Sequence, residues 1–171
     1  MNVRTKLAVL LGALALAAAG TAAPAQAAEP TSAFTVQHKH AASGALAVGA
    51  KGTIVWYNRS IDVTGLKLYV QDGECEYGWQ NAAMVAFDAD GNVIEKRMLF
   101  CYPQNGSTWH SLPTWSVEAG TIYGGVRRVE VCVFDNEHGQ ETPISWNAYN
   151  RPGLSGHGAS QPCNGARPWG W

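Results

Sequence analysis

Past residue 52 the apolar and polar positions of this chain alternate in short bursts. Residues 53–57 (Thr-Ile-Val-Trp-Tyr) are β-branched and aromatic, which predicts a strand, and Asn58-Arg59-Ser60 predicts the turn that ends it. Ile61 and Val63 then alternate, followed by Leu66, Leu68 and Val70 in the opposite phase. One extra residue in a strand reverses its faces, so the change of phase at Gly65 predicts a β-bulge. Residues 81–88 and 93–100 form two more strands around Ala89-Asp90-Gly91-Asn92, and Asp-Gly between apolar runs predicts a hairpin. Residues 108–112 predict another short strand, ended by Pro113. Val129, Val131 and Val133 alternate with Arg128, Glu130, Cys132 and Phe134, and Ile144, Trp146 and Ala148 alternate with Ser145, Asn147 and Tyr149. No segment beyond residue 27 holds a helical apolar repeat over ten residues. The pattern predicts an all-β fold, an antiparallel β-sandwich or small barrel of about seven strands.

The start of the chain has a different character. Arg4 and Lys6 precede an uncharged apolar run over residues 7–19, and Ala25-Gln26-Ala27 is a small-x-small cleavage site. This is the pattern of a secretory signal peptide over residues 1–27, cut after Ala27. Gly12, Gly20 and Pro24 interrupt the run and no stop-transfer pattern follows, so a retained membrane span is disfavoured. Residues 28–50 are rich in Gly and Ala and read as a flexible leader, residues 51–150 as the sandwich domain, and residues 151–171 as an irregular tail tied to it. No later segment is apolar enough to span a bilayer. The expected location is extracellular.

Charge narrows the partners. Cleavage lowers Lys plus Arg from 12 to 10 against 13 Asp plus Glu, a net charge of −3. A mildly acidic chain with no basic run argues against nucleic acid, which needs clustered Lys and Arg. Four cysteines, Cys75, Cys101, Cys132 and Cys163, lie in the expected mature part, and an even count in an exported chain reads as two disulfides. Three pairings are open. Cys75–Cys101 with Cys132–Cys163 is favoured, because the first would bracket one hairpin and the second would tie the tail to a strand. No CxxC occurs and no His stands at ligand spacing from a Cys, which disfavours a metal site.

Other chemistry is sparse. Asp88, Asp90 and Asn92 offer oxygens at alternate positions, as a calcium loop does, but position twelve from Asp88 is Leu99, and a hairpin turn is the better reading. His38 and His40 share one side of an extended segment without a third ligand, and read as solvated. His110, His138 and His157 are scattered, and no G-x-S-x-G elbow presents a serine. Glu74, Glu76, Asp135, Glu137 and Glu141 fall in loops or at strand ends. No cofactor is expected.

The seven tryptophans are the unusual feature. Trp56, Trp109 and Trp146 lie on or beside predicted strands, where a small core can use them. Trp79, Trp115, Trp169 and Trp171 fall in loops. Surplus aromatics among Asn, Gln and Asp suit stacking on sugar rings or docking a protein. The competing reading has them cap the ends of the sandwich. The chain is therefore expected to be a monomeric, non-catalytic binding protein for an extracellular glycan, envelope component or protein. Its candidate contacts are Trp79, Trp109, Trp115 and Tyr123. The alternative is a secreted protease inhibitor or other interaction module using the loop at residues 136–142. A small hydrolase ranks third.

The segment Gly52-Thr53-Ile54-Val55-Trp56-Tyr57-Asn58-Arg59-Ser60 resembles one found in small secreted proteins of high-GC Gram-positive bacteria. There, G-x-x-x-W-Y-N-R-S is followed by a loop Cys, a strand pair and a second Cys. Cys75, residues 81–100 and Cys101 match that order, as does Gly124-Gly125-Val126-Arg127-Arg128-Val129 before Cys132. The resemblance covers residues 52–134 and implies export. It supplies no catalytic residues, and Cys163 and the Trp-rich tail lie outside it.

Overall fold

A computed structural model describes residues 28–72, 75, 80–102, 106–135, 143–154 and 163. The expected signal peptide lies outside them. Two antiparallel sheets form a sandwich-like arrangement, with no closed barrel. Sheet A carries β1 (Thr31–Lys39), β2 (Leu46–Trp56), β3 (Ile61–Val70) and β6 (His110–Ser111) in that order, with β7 (Trp115–Val117) also on β3. Sheet B has the order β5 (Val93–Phe100), β4 (Gln80–Phe87), β8 (Arg128–Val133), β9 (Ser145–Asn150). Among the described residues no helix forms, so none is long and apolar enough to cross a membrane.

Local signals set most of these strands. On β3, Ile61, Val63, Leu66, Leu68 and Val70 all point into the core. Pairing with β2 slips by one residue between Lys51↔Lys67 and Thr53↔Thr64, and Gly65 sits in the slip with φ +59°. A left-handed residue at that point costs glycine little, and the extra residue restores the apolar side chains to the inner face. Asp88 shapes the β4–β5 turn. Its Oδ1 accepts from the backbone N–H of Asp90 (2.9 Å) and of Asn92 (2.8 Å), and its Oδ2 accepts from the Asn92 amide (3.1 Å). The carboxylate that looked like a calcium ligand is thus engaged in its own turn.

Residues 28–50 require a correction: β1 and the first half of β2 occupy most of the stretch expected to be a flexible leader. β1 alternates, with Phe34 and Val36 buried between exposed Ala33, Thr35 and Gln37. The glycines of β2 are small because large side chains lie against them. A Cβ on Gly49 would stand 3.0 Å from Trp109 Cη2, and one on Gly52 3.0 Å from Phe34 Cζ. Composition suggested freedom where the requirement was space. Trp56 fastens β1 further, donating from Nε1 to Ser32 Oγ at 2.9 Å. The second addition to the seven expected strands is β7. β6 and β7 take opposite ends of β3, pairing Lys67↔Ser111 and Val63↔Trp115, with Pro113 between them.

Between the sheets, Val129, Val131 and Val133 of β8 meet Ala82, Met84 and Ala86 of β4 and the inner residues of β1–β3. The Phe34 and Tyr149 rings close the β1–β9 side at 5.8 Å. At β4 and β8 the outer face of sheet B is buried too. Ala83, Val85, Phe87, Cys132, Phe134 and Cys163 form a second apolar cluster there, which is why β4 reads as an unbroken apolar run. Cys75–Cys101 and Cys132–Cys163 are the disulfides, with Cα separations of 5.5 and 6.3 Å, as the favoured pairing has them. At the second bridge, Glu130 is fully buried. Its Oε1 accepts from Arg128 Nε (2.9 Å) and Nη2 (2.6 Å), and its Oε2 accepts from the Cys163 N–H (2.6 Å).

Candidate functional site

The structure sorts the tryptophans differently from their sequence positions. Trp115, a candidate contact, is 5 % exposed. β7 pairing places it opposite Val63 on the inner face, and its Nε1 donates to Glu95 Oε1 at 2.8 Å. It is core and offers no open surface. Trp146, expected among the core strands, is 46 % exposed: it shares the outer face with its register partner Cys132, but it stands on β9, the edge strand of sheet B. Trp79, Trp169, Trp171 and the loop at 136–142 lie outside the described residues, as do Glu74, Glu76, Glu137, Glu141, His138 and His157.

Trp109 stands on the outer face of sheet A. His110 pairs with Leu68 and shares its inward face, so the preceding residue turns outward beside Tyr69. The Tyr69 and Trp109 rings lie 5.6 Å apart with their planes tilted by 48°. The Trp109 edge reaches over Gly49, and Lys51 Nζ sits 4.2 Å from its ring centroid, a cation–π contact. Registers align two rows across this face: Gln37, Gly49, Tyr69 and then Trp109 in one, and Thr35, Lys51, Lys67 and Ser111 in the next. Residues two apart on a strand share a face, so the half-buried aromatic pair is flanked by hydroxyl, amide and ammonium groups. Tyr69, Lys51, Lys67 and Gln37 were not singled out from sequence. The alternation of β3 marks Tyr69 as outward, but only the β1–β2–β3–β6 pairing brings these residues together.

Tyr123 does not join this surface. It is 87 % exposed, on the β7–β8 connection, and lines an open cavity of about 450 Å³ together with Asn58 and Arg59 of the β2–β3 turn. That turn is at the far end of β3 from Tyr69, about 25 Å away at strand spacing.

The histidines are less free than expected. His38, on β1, lies 3.9 Å from Asp135 Oδ2, and His40 Nε2 is 2.9 Å from Gln71 Oε1. Among the described residues no group of three or more His, Cys, Asp or Glu is placed to hold a metal ion. His110 Nδ1 and Nε2 are both shielded from solvent and lack a well-formed hydrogen bond. Burial lowers its pKa below the usual histidine value, and the nearby Thr108 and Phe100 backbone opposes that only in part.

No protein-family model, curated protein or solved structure matches this chain.

Proposed function

We propose that this is an exported binding protein that takes an extracellular glycan on the outer face of sheet A. Trp109 and Tyr69 stack on a sugar ring, and Lys51, Lys67, Gln37 and Ser111 offer hydrogen bonds to its hydroxyls. The carrying observation is the Tyr69–Trp109 pair, 5.6 Å apart on the solvent side of a sheet whose other outward side chains there are polar. A rigid strand-borne aromatic binds at small entropic cost, and the surrounding donors orient the ligand. The signal-peptide pattern together with two disulfides supports an oxidising, extracellular setting.

The test is retention of the mature protein on insoluble cell-wall polysaccharides, with a glycan array to find the sugar. Trp109→Ala is expected to weaken binding about tenfold or more while leaving the unfolding transition cooperative. Gly49→Ala, which pushes on the Trp109 edge, is expected to weaken it to a smaller degree. Retention on no polysaccharide, or equal retention of Trp109→Ala, refutes the reading.

A further inference from the structure

At the opposite end of β3 three arginines converge, with no carboxylate between them among the described residues. Arg59 of the β2–β3 turn, Arg127 ahead of β8 and Arg151 after β9 line the cavity that Tyr123 borders, and among the described residues neither Asp nor Glu lines it. Every hydrogen bond these guanidinium groups make among the described residues goes to a backbone carbonyl. Arg59 Nη2 donates to Ile122 O, and Arg127 Nε to Gly124 O at 3.0 Å. Arg151 donates to Val126 O from Nε (2.8 Å) and Nη2 (2.7 Å), and to Tyr57 O from Nη1. Carbonyls orient a guanidinium but leave its charge unneutralised. A guanidinium carries five N–H donors, and among the described residues Arg59 and Arg127 each commit one of them.

The cluster is also rigidly mounted. Val126 N donates to Arg59 O (2.9 Å), Arg127 N to Phe87 O (2.8 Å) and Arg151 N to Arg127 O (2.8 Å). Four chain segments are therefore laced together by main-chain bonds directly beneath the side chains. Gly125 permits the closest approach, since a Cβ there would lie 2.5 Å from Arg59 O. Arg151 is held over the Trp56 ring, 5.5 Å from its centroid. Burial, and then the charge of Arg127, lower the Arg151 pKa from the usual arginine value. Like charges have thus been brought close and partly out of water, an arrangement that costs free energy with nothing between them and loses that cost when an anion enters. The chain as a whole is slightly acidic, with a net charge of −1. The positive cleft is a local feature set against the overall charge.

We propose that the Arg59–Arg127–Arg151 cleft is a binding site for a compact oxyanion, a phosphate or carboxylate group, with Tyr123 beside it to contact the body that carries the group. Planar guanidinium forks match the oxygens of both groups and pair with them two bonds at a time. The site is independent of the glycan reading, because it lies at the other end of the sandwich from Trp109.

The experiment titrates inorganic phosphate and, separately, acetate into the mature protein at constant ionic strength with chloride as the balancing ion. It follows thermal unfolding and the backbone amide resonances. Saturable stabilisation, with shifts centred on residues 122–127 and 151, is expected. The tighter of the two anions tells a phosphoryl ligand from a carboxylate ligand. Arg59→Gln and Arg127→Gln are each expected to weaken binding about tenfold, with Arg127→Lys, which keeps the charge and loses the fork, falling between. Should a Gln variant fail to fold, the resonance map of the wild-type chain decides alone. The proposal is overturned if neither anion shifts those resonances beyond the chloride control, or if folded Gln variants respond as the wild type does.

Discussion

His110 shows how one side chain acquires a property through its surroundings. Its register partner Leu68 places it on the inner face, and burial then disfavours its protonated form. A histidine whose folded pKa lies below its unfolded value of 6.5 binds fewer protons when folded. Its contribution to stability is intact above pH 6.5, falls as the pH drops through 6.5 towards the folded pKa, and levels off below that. Thermal unfolding between pH 5 and 8 should show that decline, and His110→Phe should remove the part due to this ring. A wild-type stability that rises towards acid would mean that the ring gains a partner on protonation. The Arg128–Glu130–Cys163 arrangement belongs to the same scale. In sequence, Arg128 and Glu130 look like the polar face of an amphipathic strand, and nothing local marks that face as covered. Glu130 tolerates full burial because both its oxygens are bonded.

Among the elements, the β4–β5 hairpin is the clearest case of local control. Asp-Gly between two apolar runs placed it, and the strands lie within one residue of their expected bounds. Asp88→Ala should lower stability by about 1 kcal/mol, measured by urea unfolding, and Asp88→Asn should lose less because an acceptor oxygen remains. Partial burial pushes the Asp88 pKa upward, but the bonds from Asn92, Asp90 and Gly91 outweigh it and hold the pKa below 3.8. The stability this carboxylate adds is therefore present above pH 3.8 and lost as the pH falls through the folded value. The gap between wild type and Asp88→Ala should accordingly narrow as the pH falls below 3.8. β1 and β7 show where such reading stops. β1 has only Phe34 and Val36 as apolar inward residues, and β7 is three residues long. Neither run is long enough to stand out against composition, and each exists because β2 or β3 supplies a hydrogen-bonding edge. The bulge at Gly65 was legible because it reverses an alternation within one strand.

For the molecule as a whole, the two disulfides close stretches of similar size, 26 and 31 residues. The chain-entropy model assigns each about 3.5 kcal/mol. Their settings differ. Cys132–Cys163 also brings the Cys163 N–H onto buried Glu130 and joins the apolar cluster of Phe87 and Phe134. The double variant Cys132→Ser with Cys163→Ser should therefore cost more in urea unfolding than Cys75→Ser with Cys101→Ser. It alone should bind a hydrophobic dye under native conditions. Equal losses would mean that the bridge does not hold that face closed.

Signals confined to a few neighbouring residues were decisive from the sequence alone. They set the β class, the hairpin and the bulge, because side-chain alternation and turn chemistry act over two to five residues, whereas the cysteine pairing, one of three left open by the sequence, joins residues 26 and 31 apart. Folding decided what depends on residues far apart in the chain. Trp115 is core because pairing with β3 turns it inward, and Trp146 is open because it faces outward on an edge strand. Tyr69 and Trp109 meet across an edge that only the sheet creates. Arg151 reaches Tyr57, 94 residues earlier. A local pattern can state that a side chain has two faces to choose from, and only the packing partner determines which one water keeps.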